Sequence, residues 1–387
     1  MTQHAKHDAA QARGAPVPEA ELTRPPRPHG GWSISLSPLD KAQILPAPAK
    51  PPLTFPTGVL TAAGAPVPQA AVWRNRRCIT LPPKPAQNLT PLEGTWLWGG
   101  LLYAHFGHFM CESTTRLWAL DHLDTPVDGV LFVSKFAPED GLASYHRDFL
   151  RLMGCDLPVH IVDRPVSVER LIVPGQGFGL GEMAAGTAPF RAAIQSRFAT
   201  GVAPRGDEKL YISRSAIGPR RGGLLFETVL EDHLRTQGYT IFHPQKHPLE
   251  EQIARYKAAR HILAAEGSAL HLLAMVARRD QRIGMILRRR SGATDTISLH
   301  LRSFAGQAPD QIEAISRTWM PAEGGRKHMS VAELDFPVLQ RQLRGLGYIA
   351  DGPDWPAIPD ATARQEVHSA RFRRMMNYQP TAYQSAP

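Results

Sequence analysis

The sequence predicts an α/β protein of two α/β units with irregular N- and C-terminal extensions. Three patterns carry that expectation. Between Lys209 and Leu287 short apolar runs alternate with helical stretches, the rhythm of a parallel sheet covered on both faces. A looser version runs from His105 to Val173, and two such units in one chain imply a cleft between them. Both ends are rich in Pro and show little periodicity.

Residues 1–56 read as a disordered or extended Pro-rich tail. A first α/β domain is expected over residues 57–200. It opens with short strands such as 71–73 and 78–81, continues with a helix from about His105 to His122, and then gives a strand over 129–134, a helix over 144–153 and strands over 158–162 and 170–173. The run Gly175-Gln176-Gly177-Phe178-Gly179-Leu180-Gly181 lacks the third glycine of G-x-G-x-x-G in either register, so it reads as a flexible interdomain connection. A helix over 188–198 closes this domain. The second domain, residues 205–320, is cleaner: strand 209–213, helix 224–237, strand 239–242, helix 248–259, strand 261–265, helix 269–276 and strand 282–287. The tail from 321 to 387 holds one expected helix, 331–343.

Composition narrows the function. With 43% hydrophobic and 20% charged residues this is ordinary soluble-protein composition. No stretch has the eighteen or so apolar residues of a membrane span, and Met1 to Trp32 has no apolar h-region, so a cytoplasmic protein is expected. Cys78, Cys111 and Cys155 form neither a disulfide framework nor a zinc pattern. The net charge of +9 favours acidic partners, and only nine of the 44 basic residues are lysine. No helix-turn-helix, zinc or RNA-binding aromatic signature accompanies the charge, which argues against nucleic acid.

Two devices for holding a phosphate stand out. Arg214 leaves the end of one expected strand, and Glu266-Gly267-Ser268 turns from another straight into a helix. In neighbouring parallel strands both would reach the crevice at the carboxyl edge of the sheet. Arg220-Arg221 and Arg288 to Arg290 also follow strand ends and read either as solvated faces or as contacts to phosphate or an anionic glycan. Glu266 has three readings: contact to a sugar or ribose hydroxyl, a base, or a helix cap. His271 lies one turn inside the helix, as a ligand contact or a core histidine. His243 and His247 flank a Pro-bounded turn. In the first domain His105, His108 and Glu112 fall at i, i+3 and i+7, one helix face. They fit a base with its orienting partner, a metal-ligand spacing, or a helix start with one core histidine.

The ordered series Tyr211-Ile212-Ser213-Arg214, Arg220-Arg221, Glu227, His243-Pro244, Glu251-Gln252-Ile253 and the small-residue turn into an apolar helix resembles glycosyltransferase family 61. Upstream, Gly107-His108-Phe109 with Glu112 resembles that family's aromatic-His segment. The resemblance implies a GT-B arrangement of two facing Rossmann-like domains, with the nucleotide sugar on the C-terminal one and the acceptor on the other. It implies an inverting, metal-independent transferase with no cofactor beyond its nucleotide-sugar substrate, of the capsular or surface polysaccharide type. The acceptor would be a glycan or lipid-linked glycan, met at the inner face of an anionic membrane. Carried over singly, Arg214 matches the family's arginine, Gln252 its glutamine and Gly267 the first glycine of its helix-entry turn; with the reading of the residues above, donor contacts are expected of Arg214, Arg221, Glu266, Gly267, Ser268 and His271, and catalysis of His108 and Glu112. Two departures stand out: Glu266 replaces the family's usual histidine before the glycine, and Phe226 replaces the asparagine before Glu227. The first keeps a catalytically silent glycan- or nucleotide-binding relative as the alternative.

Overall fold

The computed structural model describes residues 19–49, 51–135, 141–218, 221–289, 291–321, 329–369 and 378–381. The chain divides into two compact units, Met1–Thr200 and Gly201–Pro387. Both are α/β in character.

In the first unit the strands include β1 (Leu36–Leu45), β2 (Gly58–Leu60), the hairpin β3 (Trp73–Arg74) and β4 (Arg77–Cys78), β5 (Thr90–Tyr103), β6 (Gly129–Lys135), β7 (Val159–Val162) and β8 (Val166–Pro174), beside a short parallel pair of Phe55–Pro56 with Thr80–Leu81. Helices α1 (Ser144–Leu152) and α2 (Ala188–Arg197) accompany them. Six strands form one mixed sheet in the order β2-β1-β8-β5-β6-β7. Its right half is parallel, as the β-α-β rhythm requires, while β1 runs antiparallel to β8. That strand corrects the expectation of a tail. Ala42 and Ile44 are fully buried, and Pro38 lies where β1 has β8 on one side only, the position at which a missing N–H costs nothing. Trp32 is buried too, with its indole N–H donating to Arg24 O. Residues 1–18 lie outside the described part.

Two further expectations fail here for a common reason, polar side chains and small residues serving the packed backbone. The long helix from His105 is instead a short turn at Phe106–His108, a π turn at Phe109–Ser113 and a 3-10 turn at Leu117–Asp121. Thr114 bonds back to Met110 O, Ser113 accepts from Tyr103 N, and Arg116 is drawn inward to the carbonyls of Ala71 and Pro174. Each competes with a regular helix. The glycine run, expected to be a flexible connection, is buried from Gly175 to Gly179. Gly175 N bonds Ser35 O, Gly177 N bonds Thr115 O, and a Cβ on Gly175 would collide with the backbone of Trp32.

The second unit begins with β9 (Lys209–Ile212), β10 (Gly223–Leu224), α3 (Glu227–Thr236), β11 (Thr240–Phe242), α4 (Leu249–Ala258), β12 (His261–Ala265), α5 (Ala269–Val276) and β13 (Arg282–Ile286). It continues with α6 (Gly292–Ala305), β14 (Asp310–Ile312), β15 (Ile315–Pro321), β16 (Val331–Leu334), α7 (Phe336–Gly345) and β17 (Tyr378–Thr381). Five strands make an all-parallel sheet ordered β11-β9-β12-β13-β14. Ile262, Leu263, Ala264 and Ala265 are buried, the continuous apolar run of a central strand covered on both faces. A second sheet, β10-β16-β15-β17, was not foreseen. It corrects the expected helix 331–343: Val331–Leu334 is a buried strand, and α7 starts only after Asp335, whose Oδ1 accepts Val338 N, with Pro337 in its first turn. The expected helix 224–237 likewise loses its first turn to β10 and to Phe226, which is left-handed at φ 57°.

Strand order places the site. From β9 the chain crosses to β11 on one side and then returns to β12 on the other, so the switch point of the sheet lies between the carboxyl ends of β9 and β12.

Candidate functional site

At that switch point Arg214 follows β9 and Glu266-Gly267-Ser268 follows β12, so the two devices expected from sequence meet. The Arg214 guanidinium lies against Gly267: a Cβ there would fall 2.5 Å from Nη1 and 3.2 Å from Cδ and Cζ. Only glycine leaves room. Nη2 donates to Arg221 O at 3.1 Å and Gly222 O at 3.5 Å, while the buried Nε has no partner among the described residues. Glu266 is fully buried, its Oε1 accepting from Arg289 Nε at 3.0 Å and its Oε2 without a partner among the described residues. Arg288 Nε donates to Glu266 O. Behind this, Glu227 Oε1 accepts from Tyr211 OH, Ser213 Oγ and Arg214 N.

Three guanidinium groups thus crowd two buried carboxylates. Burial, and then the charges of Arg214 and Arg289, push Arg288 down to about 9, with Glu266 and Glu227 opposing. Burial also lowers Arg214, against the pull of the same carboxylates. Burial raises Glu227, offset in part by the Arg214 N–H and Tyr211. Burial is the first cause of both lowered arginine values, so keeping these groups charged carries a desolvation cost that a bound anion would offset.

The other sequence candidates have definite places. Ser268 precedes α5 and makes no side-chain cap. Arg221 contributes its carbonyl to Arg214, and its side chain is exposed. The His271 ring meets the buried His300 of α6, Nδ1 to Nδ1 at 3.3 Å. Gln252 holds the turn before α4 through Pro244 O and His247 O. His243 stands 4.0 Å from Glu231, and His247 stacks on Phe242. Arg220 and Arg290 lie outside the described residues.

In the first unit His108 and Glu112 are brought together across the π turn, a device frequent at functional sites. His108 Nδ1 is 2.5 Å from Glu112 Oε2. Sequence reasoning missed their third member, Arg74 of the β3–β4 hairpin, which grips both Glu112 oxygens at 2.8 Å. Its only signal was the Arg74-Asn75-Arg76-Arg77 run. Burial alone would raise Glu112, but the His108 hydrogen bond and the Arg74 charge outweigh it and hold the carboxyl below its usual range. The Glu112 side chain is fully buried while His108 keeps 37% of its side-chain surface. His105 lies just before the turn, its ring 5.1 Å from that of His108.

Among the described residues no group of three or more His, Cys, Asp or Glu is placed to hold a metal ion, and no helix is long and apolar enough to cross a membrane. Cys78, Cys111 and Cys155 are free thiols, the last two buried. A search of curated proteins finds no match. Residues 106–283, which run from the His108 turn to β13 and include Glu112, Arg214 and Glu266, match the model of the family Glycosyltransferase 61, and that match supports a general sugar-transfer role.

Proposed function

We propose that the protein moves a sugar from a nucleotide-sugar donor to a glycan acceptor, with inversion at the anomeric carbon. The observation that carries this reading is the convergence of Arg214, Arg288 and Arg289 on the Gly267 turn at the carboxyl edge of the parallel sheet. An acceptor hydroxyl oxygen attacks the anomeric carbon, the bond from that carbon to the phosphate oxygen breaks, and the nucleoside diphosphate leaves with the electron pair. Charge growing on the diphosphate is met by Arg214, through its unpartnered Nε, and by the amides of Gly267 and Ser268. The metal-independent reading rests on the resemblance to glycosyltransferase family 61 and is favoured by the excess of three guanidinium groups over two buried carboxylates.

His108 takes the acceptor proton. With Nδ1–H donating to Glu112, the ring presents the Nε2 lone pair, and Glu112, kept anionic by Arg74, fixes that tautomer. In the GT-B division of labour the second unit holds the nucleotide and the first activates the acceptor. Synthesis of a surface or capsular polysaccharide, on a glycan or lipid-linked glycan at the cytoplasmic face of an anionic membrane, belongs to the same proposal and is favoured by the net charge of +9.

The test is release of nucleoside diphosphate from a panel of nucleotide sugars, with glycan acceptors or water, in the presence and absence of EDTA. His108→Ala should lower turnover about 10²- to 10⁴-fold with nucleotide affinity unchanged. Full turnover in the variant would remove His108 as the base. Nucleotide binding with no transfer to any acceptor or to water would favour the catalytically silent relative.

A further inference from the structure

We infer that the Arg74–Arg77 hairpin of the first unit is a binding site for a carboxylate or phosphate group of the acceptor glycan, an inference that rests on the sugar-transfer reading. The hairpin borders a cavity of about 390 Å³ lined by Leu53, Arg74, Asn75, Arg76, Arg77 and Ile79. Three of those six residues carry a guanidinium group, and little answers their charge. Arg74 is committed to Glu112. Among the described residues Arg76 reaches only Glu182, at 3.8 Å and with both side chains largely in solvent, and Arg77 is exposed.

The hairpin is also built to hold still. Trp73 pairs with Cys78 and Arg74 with Arg77, and the turn between them uses Asn75 at φ 54°, a conformation asparagine tolerates. The Gln176 amide grips Trp73 on both its N–H, at 2.8 Å, and its carbonyl, at 2.9 Å, standing in for a neighbouring strand. A preorganised rim loses little entropy when a ligand is bound. Leu53, one of the two large apolar side chains left exposed among the described residues, forms a wall of the cavity. A sugar ring presents a C–H face to such a wall and an anionic substituent to the arginines. Because Arg74 belongs both to the cavity and to the Glu112–His108 pair, an anion held here lies beside the proposed base.

The experiment is calorimetric titration of the full chain with a glucuronate-containing tetrasaccharide, a neutral glucose tetrasaccharide, inorganic phosphate and vesicles of anionic phospholipid. Arg76→Gln/Arg77→Gln is compared with Arg170→Gln, an exposed arginine of β8. The expected result is that the anionic tetrasaccharide binds better than the neutral one, that the double variant loses about tenfold of that affinity, and that Arg170→Gln loses none. A phosphate response lost in the same variant would extend the site to phosphorylated acceptors. Equal binding of the two tetrasaccharides, an unchanged double variant, or an effect confined to vesicles would overturn the proposal. Nucleoside diphosphate binding is measured on the same samples: its absence from the wild type refutes the donor site in the second unit, whatever the tetrasaccharides do.

Discussion

Gly267→Ala probes the proposed donor site with a single methyl group. Gly267 has no positive φ, so alanine is acceptable to the backbone and the perturbation is steric. The new Cβ would stand 2.5 Å from Arg214 Nη1 and 3.2 Å from Cδ and Cζ, so the side chain must move along its length rather than only at its tip. Movement breaks the contacts of Nη2 with the Arg221 and Gly222 carbonyls and turns Nε away from the ligand. A charge-assisted hydrogen bond is worth about 1.5–3 kcal/mol, so nucleoside diphosphate affinity should fall roughly 10- to 150-fold. Overpacking should cost about 1–3 kcal/mol of stability, small enough for the variant to fold. The assay is calorimetric titration with nucleoside diphosphates, and Arg214→Ala completes a double-mutant cycle. In the Arg214→Ala background the methyl group has nothing to displace, so Gly267→Ala should add almost no further loss. A folded Gly267→Ala protein with wild-type affinity, or full additivity in the cycle, would refute the reasoning.

Other outcomes follow from the same geometry. Glu112→Gln breaks a buried pair whose Arg74 side chain keeps 24% of its surface, so the cost should lie somewhat below the roughly 3–5 kcal/mol of a fully buried one, read by urea unfolding. Glu112 sits below its usual range in the folded protein, so the stability it contributes is complete above an unfolded value of about 4.3 and is lost as pH falls through the folded one. The wild type should therefore lose stability below about pH 4.3 more steeply than Glu112→Gln. Arg116→Ala strands the Ala71 and Pro174 carbonyls in the core and should cost about 2–5 kcal/mol in the same measurement. At Phe226, left-handed at φ 57°, Phe226→Asn should be tolerated better than Phe226→Val although valine is the closer apolar match, because a β-branched residue resists that conformation. The relative midpoints of urea unfolding decide it.

Strands β9, β11, β12 and β13 of the second unit were legible because they are short apolar runs set off by helical stretches and glycine or polar turns, local signals that survive folding, whereas α6 and the edge strand β14 were not foreseen. His261–Ala265 and Ala269–Val276 fall where the periodicity puts them. The meeting of Arg214 with Gly267 followed from strand ends alone. What could not be read depends on contacts distant in sequence. Leu36–Leu45 becomes a strand because Val166–Pro174 is there to pair with it, and the glycine run is buried because Trp32, Ser35 and Thr115 close on it. Arg74 reaches Glu112 from 38 residues away, and no local pattern announces such a pair. The Phe226 departure has a local explanation that only the backbone reveals: the position is left-handed, where asparagine is favoured, so its replacement bears on strain more directly than on chemistry.

The most direct test of the central claim is calorimetric binding of nucleoside mono- and diphosphates and nucleotide sugars to the wild-type chain and to Arg214→Ala. The account predicts that diphosphates bind more tightly than monophosphates and that the variant loses at least tenfold of that affinity while remaining folded. A folded wild-type protein that binds none of them, or a variant that binds them equally well, would contradict it.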